Sequence, residues 1–210
     1  MSFFLRAEFL CSVCSLTNEG VGKGMQVAVL GGSFDPPHAA HVLMAAYLGA
    51  IAQFDHVLVV PVFEHAFEKN LTAFEHRLRM CQLAFERLPF VEVTPIEATL
   101  KRPNYTLHTL QAIKRAHPNW QLRLAMGTDV LAESHQWHSF DEVIALAPPF
   151  VFERHGYTSD GQRTRLLPQV SSTDLRSHLR QRHEPFKSQV LDELLPECVR
   201  QYIEDFQLYL

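Results

Sequence analysis

Positive charge is in short supply. Nineteen lysines and arginines face 23 aspartates and glutamates, a formal net charge of −4. Bulk charge therefore draws the chain neither to nucleic acid nor to an anionic membrane surface, and any recognition of phosphate must be local. Long apolar runs are missing too: none approaches the roughly 18–20 residues that cross a bilayer, which excludes a helical span. Only four cysteines occur in 210 residues, with no spacing that reads as a disulfide framework. Cys81 falls in a helical pattern as a buried thiol, and a reducing cytoplasm fits best. Neither a P-loop (GxxxxGK[ST]) nor a dinucleotide fingerprint (GxGxxG) is present. Repeats, low-complexity tracts and linkers are likewise absent. With 47% apolar and 20% charged residues, residues 25–210 read as one globular domain with a full core.

The first 24 residues have a different character. Glu8 interrupts the short apolar stretch of MSFFLRAEFLCSVCSL, and no small-residue cleavage site follows, which argues against a signal peptide. Cys11 and Cys14 form a CxxC without a second ligand pair, so zinc is not expected. Asn18 to Gly24 are residue types that purine-rich triplets encode, as in a ribosome-binding site. We therefore read Met25 as the natural start and 1–24 as an N-terminal extension.

Against these absences stands one stretch, Gly31 to His41, GGSFDPPHAAH. It follows the apolar run Val27–Leu30, which suits a buried parallel strand. It leads into a helical pattern from His38 to about Ile51. Strand, Gly-rich turn and helix is an arrangement that holds phosphate, because glycine admits the backbone and the helix N-terminus offers N–H groups. A proline at the first helical position would put His38 and His41 on one face of the first turn. Two imidazoles above a ring of backbone donors suit a polyphosphate. The plainer reading makes Asp35 an ordinary N-cap, the prolines helix starters and the histidines surface residues.

Further strands are expected at His56–Pro61, Val91–Val93, Gln121–Met126 and Phe150–Glu153. Helices are expected from the Thr72-x-x-Glu75 capping box to about Glu86, over Tyr105–His117 and Asp141–Leu146, and from Ser172 and about Pro196. Alternating strands and helices predict an α/β fold, a doubly wound parallel sheet. In strand order 3-2-1-4-5 the switch point lies between strands one and four. Gly31-Gly32-Ser33 and Gly127-Thr128-Asp129 end those two strands, so the ligand crevice is expected between them. Downstream, Ser171-x-x-Asp174 is a capping box with Arg176 one turn on. A Ser/Thr-rich helix N-terminus with an arginine on the same face can also bind anionic oxygens.

GGSFDPPHAAH closely resembles the signature of nucleotidyltransferases with HxGH motifs, GGTFDPxHxGH. Val170 to Arg176 (VSSTDLR) is similar to the ISSTxxR element of the same superfamily. Three further stretches resemble the nicotinate/nicotinamide mononucleotide adenylyltransferases within it. They are Asn104 to Leu110 (NYTLHTL, like SYTxxTL), Gly127-Thr128-Asp129 followed by Trp137-His138, and the ending from Leu195 to Tyr209. The likeness spans about Met25 to Leu210 and implies a Rossmann-like nucleotidyltransferase fold with C-terminal helices. It implies a cytoplasmic enzyme of NAD synthesis, a monomer or homo-oligomer, acting on ATP and a pyridine mononucleotide. Mg²⁺ would arrive with ATP, with no metal held by protein ligands.

Carried over residue by residue, the resemblance makes His38, His41, Lys69 and Arg176 the groups that hold the ATP phosphates. Gly31, Gly32, Ser33 and Phe34 would line the ATP site together with Ser171, Ser172 and Thr173, and Asp129 would accept from ribose hydroxyls. Trp137 would stack on the pyridine ring, with Tyr105, Thr106 and the His138 backbone N–H near its carboxylate or amide. Two departures stand out. Ala40 replaces the usual glycine, setting a methyl where adenine is expected to pack, and Glu64–Lys69 reads EHAFEK where PPHK-like residues are usual. Three other readings stay open: a nucleotidyltransferase with another phosphate acceptor, a metal-dependent hydrolase using the pairs His38/His41 and His135/His138, and an inactive nucleotide-binding module.

Overall fold

A computed structural model describes residues 24–64, 71–152, 170–180 and 193–209. Its elements are β1 (Gln26–Gly32), α1 (Ala39–Ala50), β2 (His56–Pro61), α2 (Phe74–Phe85), β3 (Val91–Val93), α3 (Thr106–Ala116) and β4 (Gln121–Gly127). They continue with α4 (Thr128–Ala132), α5 (Phe140–Leu146), β5 (Pro149–Phe152), α6 (Ser172–Arg180) and, as α7, the helix Glu197–Asp205. One five-stranded sheet runs β3-β2-β1-β4-β5 with every pairing parallel. The sheet order is the one expected from the sequence.

The central strand shows why the sheet is wound on both faces. Residues Val27 to Leu30 are all buried, and side chains alternate across a strand. Ala28 and Leu30 join a core with Met44, Leu48 and Phe85 from α1 and α2. Val27 and Val29 join a second core with Leu107, Leu110 and Ile113 of α3 and Val143 of α5. Strands covered on both faces lose the in–out alternation and read as continuous apolar runs. A third cluster, Met80, Leu175, Leu179, Val199 and Ile203, packs the two C-terminal helices against α2. Cys81 is fully buried, and burial pushes its thiol up, so it is unreactive core. Gly49, without an expected role, lies so close to the Phe90 ring that any Cβ would collide with it.

Several boundaries differ from expectation. Helix α1 takes His38 as its N-cap, so Pro37 lies just outside the helix, one step before the cap. Helix α2 is capped at Ala73 without a side-chain bond. The expected Thr72–Glu75 capping box does not form, because the Thr72 N–H donates to Asp35 Oδ2 at 3.2 Å. Three short pieces were not expected: 3-10 turns at Ile96–Thr99 and Ser134–Gln136 and the five-residue α4. Glu153, the expected end of the fifth strand, lies outside the described residues, as do the 1–24 extension up to residue 23, Cys11, Cys14 and Gly156. No helix among the described residues is long and apolar enough to cross a membrane.

Candidate active site

Strands β1 and β4 are neighbours from which the chain departs in opposite directions, and ligands bind beyond the C-terminal ends of strands at such a point. A cleft of about 990 Å³ opens there, at the upper end of the size usual for small-molecule sites. Every described residue proposed from the sequence lines it; Lys69 lies outside the described residues.

The first wall is the turn after β1. Gly31, Gly32 and Ser33 line the cleft. Phe34 sits in the left-handed region at φ 47, costly for a bulky residue and sustained only where the surroundings over-determine it. Here burial does so: its ring is 1% exposed and packs edge-on against His41 (4.8 Å) and Phe85 (6.2 Å). The imidazoles of His38 and His41 stack at 3.8 Å. The His38 backbone N–H donates to His41 Nδ1 at 3.2 Å. That bond places the neutral ring's proton on Nε2, which makes Nε2 a donor.

The second wall is the start of α6. Ser171 Oγ accepts from the Asp174 N–H (3.1 Å) and donates to Asp174 Oδ2 (2.7 Å), the helix cap of the plainer reading. Ser172 Oγ donates to Pro36 O at 3.0 Å, so this wall leans directly on the first. Arg176 lines the cleft with one nitrogen donating to Asp35 O (2.6 Å) and another to Thr173 Oγ1 (3.2 Å). Asp129 enters from the first turn of α4, directly after β4.

The third wall is aromatic. Trp137 both lines the cleft and packs edge-on to Phe140 at 5.9 Å. Tyr105 caps α3 and stacks on the His138 ring at 4.5 Å. His138 lines the cleft with its ring held against Tyr105. Tyr105, the N-cap of α3, makes no side-chain cap bond, and Tyr105 and Thr106 bring the start of the helix, with its free N–H groups, to the cleft.

Ala40 resolves differently from expectation. It is 1% exposed and belongs to the cluster with Met80, Leu175 and Val199. Its methyl fills the seam between α1 and the C-terminal helices and is not among the groups lining the cleft.

Sequence reasoning missed the buried polar groups that hold these walls. Arg77, 1% exposed, donates to four backbone carbonyls: Thr72 (2.8 Å), Ser33 (2.9 Å), Val62 (2.7 Å) and Phe63 (3.2 Å). Burial lowers its guanidinium from the ordinary value, with Asp35 the strongest opposing influence. Glu97 accepts from the Phe63 N–H (3.0 Å) and the Thr109 hydroxyl (2.9 Å). Burial pushes its carboxyl above the usual carboxylate range despite those bonds. Asn104 ties to Glu97 O at 3.0 Å. A charged residue inside an apolar helical stretch, as Arg77 is in HRLRMCQLA, was the available signal. Among the described residues no group of three or more His, Cys, Asp or Glu side chains is placed to hold a metal, so the HxxH hydrolase reading finds no third ligand there.

Residues 29–178 match the model of the cytidylyltransferase-like family. A relative from Anaeromyxobacter sp. (strain K), named "Probable nicotinate-nucleotide adenylyltransferase", is 37% identical over 89% of this chain and 97% of its own length. The nicotinate-nucleotide adenylyltransferase of Bacillus subtilis (strain 168) is 29% identical over 88% of this chain and 98% of its own. Among solved structures, the Plasmodium falciparum nicotinic acid mononucleotide adenylyltransferase complexed with NaAD superposes with a TM-score of 0.75. It is 18% identical and covers 88% of this chain and 97% of that one. The chain therefore belongs to the cytidylyltransferase-like family and, within it, to the nicotinate-nucleotide adenylyltransferases.

Proposed function

We propose that the protein transfers the adenylyl group of ATP to nicotinate mononucleotide, giving the dinucleotide and pyrophosphate, a step of NAD synthesis carried out in the cytoplasm. One observation carries the reading: the two-histidine turn and the α6 wall share a single cleft with Tyr105, Thr106 and Trp137. A phosphate-holding half thus faces an aromatic half across the switch point.

The acceptor's phosphate is already largely ionised near neutral pH, so its oxygen attacks the α-phosphorus of ATP without a general base. The new P–O bond forms as the bond to the bridging oxygen breaks, and pyrophosphate leaves with that electron pair. Catalysis is then alignment plus neutralisation of charge at fixed donors. His38 and His41 Nε2 donate to the phosphates, Arg176 holds the β/γ end, and Lys69 adds a further cation. Gly31 to Phe34 and Ser171 to Thr173 shape the ATP site, and Asp129 accepts from ribose hydroxyls. Mg²⁺ enters with ATP as part of the substrate and neutralises phosphate charge. Trp137 stacks on the pyridine. The α3 N-terminus, with Tyr105 and Thr106, favours a carboxylate over a neutral amide through its N–H groups and dipole, and the relatives' names support the same preference.

Pyrophosphate release with ATP and each mononucleotide in turn tests this. Release with nicotinate mononucleotide is expected, and its absence with both would overturn the reading. His41→Ala should lower turnover by two or more orders of magnitude at unchanged melting temperature. Near-normal turnover would remove His41 from the site.

A further inference from the structure

Asp35 sits in the middle of the phosphate turn and is 1% exposed, yet its carboxylate points at none of the groups assigned to ATP. One oxygen accepts from the Thr72 N–H (3.2 Å) and the other from the Tyr209 hydroxyl at 2.6 Å. Arg176, the nearest cation proposed for the triphosphate, is bound to the backbone carbonyl of Asp35 and leaves the carboxylate alone. Tyr209 arrives from beyond α7, 174 residues along the chain. It too stands in the left-handed region, at φ 67, where a tyrosine persists only if contacts hold it.

We infer that Tyr209 is a positioning residue for the triphosphate end of the cleft, its phenol pinning the Asp35 carboxylate so that Arg176 stays turned toward ATP. The inference rests on the proposed function. Burial and the adjoining Asp35 push the phenol above its ordinary value, so it remains a donor at every working pH. Without that donor, one oxygen of a buried carboxylate loses its partner, a costly state. The cheapest remedy is the guanidinium already bonded to the same residue's carbonyl. A bidentate Arg–carboxylate pair is strong, and forming it would draw Arg176 off the phosphates. The acceptor side, walled by α3 and Trp137, shares no hydrogen bond with this group among the described residues and should not notice.

The test is Tyr209→Phe, which deletes one oxygen, made alone and combined with Asp35→Asn in the full chain. Steady-state pyrophosphate release gives both KM values and kcat, and calorimetry gives the Kd of ATP without acceptor. Expected for Tyr209→Phe are an ATP KM and Kd raised about tenfold, a kcat lowered by the loss of a donor to the departing pyrophosphate, and a mononucleotide KM within about twofold. In the Asp35→Asn background, where no charge remains to capture Arg176, the same change should cost less than about twofold. An unchanged ATP Kd overturns the inference. So does a parallel rise in both KM values that follows a lowered melting temperature, since that marks a merely structural tie. If the wild type turns over no mononucleotide, the proposed function fails on its own, and the ATP Kd of the single and double variants still decides the role of Tyr209.

Discussion

The two ends of the cleft are built differently. Around the phosphate turn, backbone carbonyls from three separate segments converge on Arg77, and α6 is tied to the turn through Ser172 and Arg176. At the acceptor end the Glu97 bonds to Thr109 and Asn104 tie down α3, while the aromatic groups meet through ring contacts: Trp137 on Phe140, and Tyr105 on His138 and His108. Hydrogen bonds are directional and expensive to leave unmade, so the first end is rigid and all-or-none. Ring packing tolerates small displacements and can be retuned one residue at a time. A polyphosphate is the same in every reaction of this kind, whereas the acceptor is what distinguishes them. Stiffness sits where the ligand is constant.

Three substitutions probe that contrast. The largest effect is expected for Arg77→Ala, which strips four buried carbonyls of their donors and should cost about 3–5 kcal/mol of stability together with activity. Urea unfolding measures it, and a loss below about 1 kcal/mol would mean the turn is held by other means. Trp137→Ala should raise the KM of the mononucleotide roughly tenfold or more, the worth of about 1–3 kcal/mol of ring stacking. Its ATP KM should stay put. If both KM values moved together, the division of the cleft into two ends would dissolve.

The smallest effect is expected for Glu97→Gln and lies in pH dependence. The Glu97 carboxyl titrates above its ordinary value near 4.5 in the folded protein. It therefore favours the fold fully while protonated below that value, and this contribution drains away as pH rises toward the folded pKa. A glutamine cannot titrate, and the Thr109 hydroxyl can turn to accept from its amide. The melting temperature of Glu97→Gln relative to wild type should thus climb between pH 4.5 and pH 8. A constant difference across that range would show that the carboxyl stays ionised throughout.

Much of the sheet was legible because β1 and β2 are covered on both faces and carry unbroken apolar runs, while the run in β4 is interrupted only by Arg123. The cleft residues were legible as strings of adjacent positions, since turn, helix start and motif coincide in sequence. What escaped were roles that exist only after folding. Nothing local to Arg77 announces four carbonyls 5 to 44 residues away. Asp35 reads as an N-cap until α2 and Tyr209 are placed around it, and Thr72 reads as a cap until Asp35 takes its N–H. Ala40 read as an intrusion on adenine, because one strip of helix does not reveal which neighbour its methyl meets. The five-residue α4 is too short to show periodicity.

The bond between Asp35 and Tyr209 spans 174 positions, and that span sets an order of events during synthesis. A ribosome finishes the signature turn early and then makes more than a hundred residues before α6 and Tyr209 emerge to close over it. Until then the growing chain holds Asp35 and two histidines without the wall that faces them, so the cleft takes shape only after its most distant parts have been made.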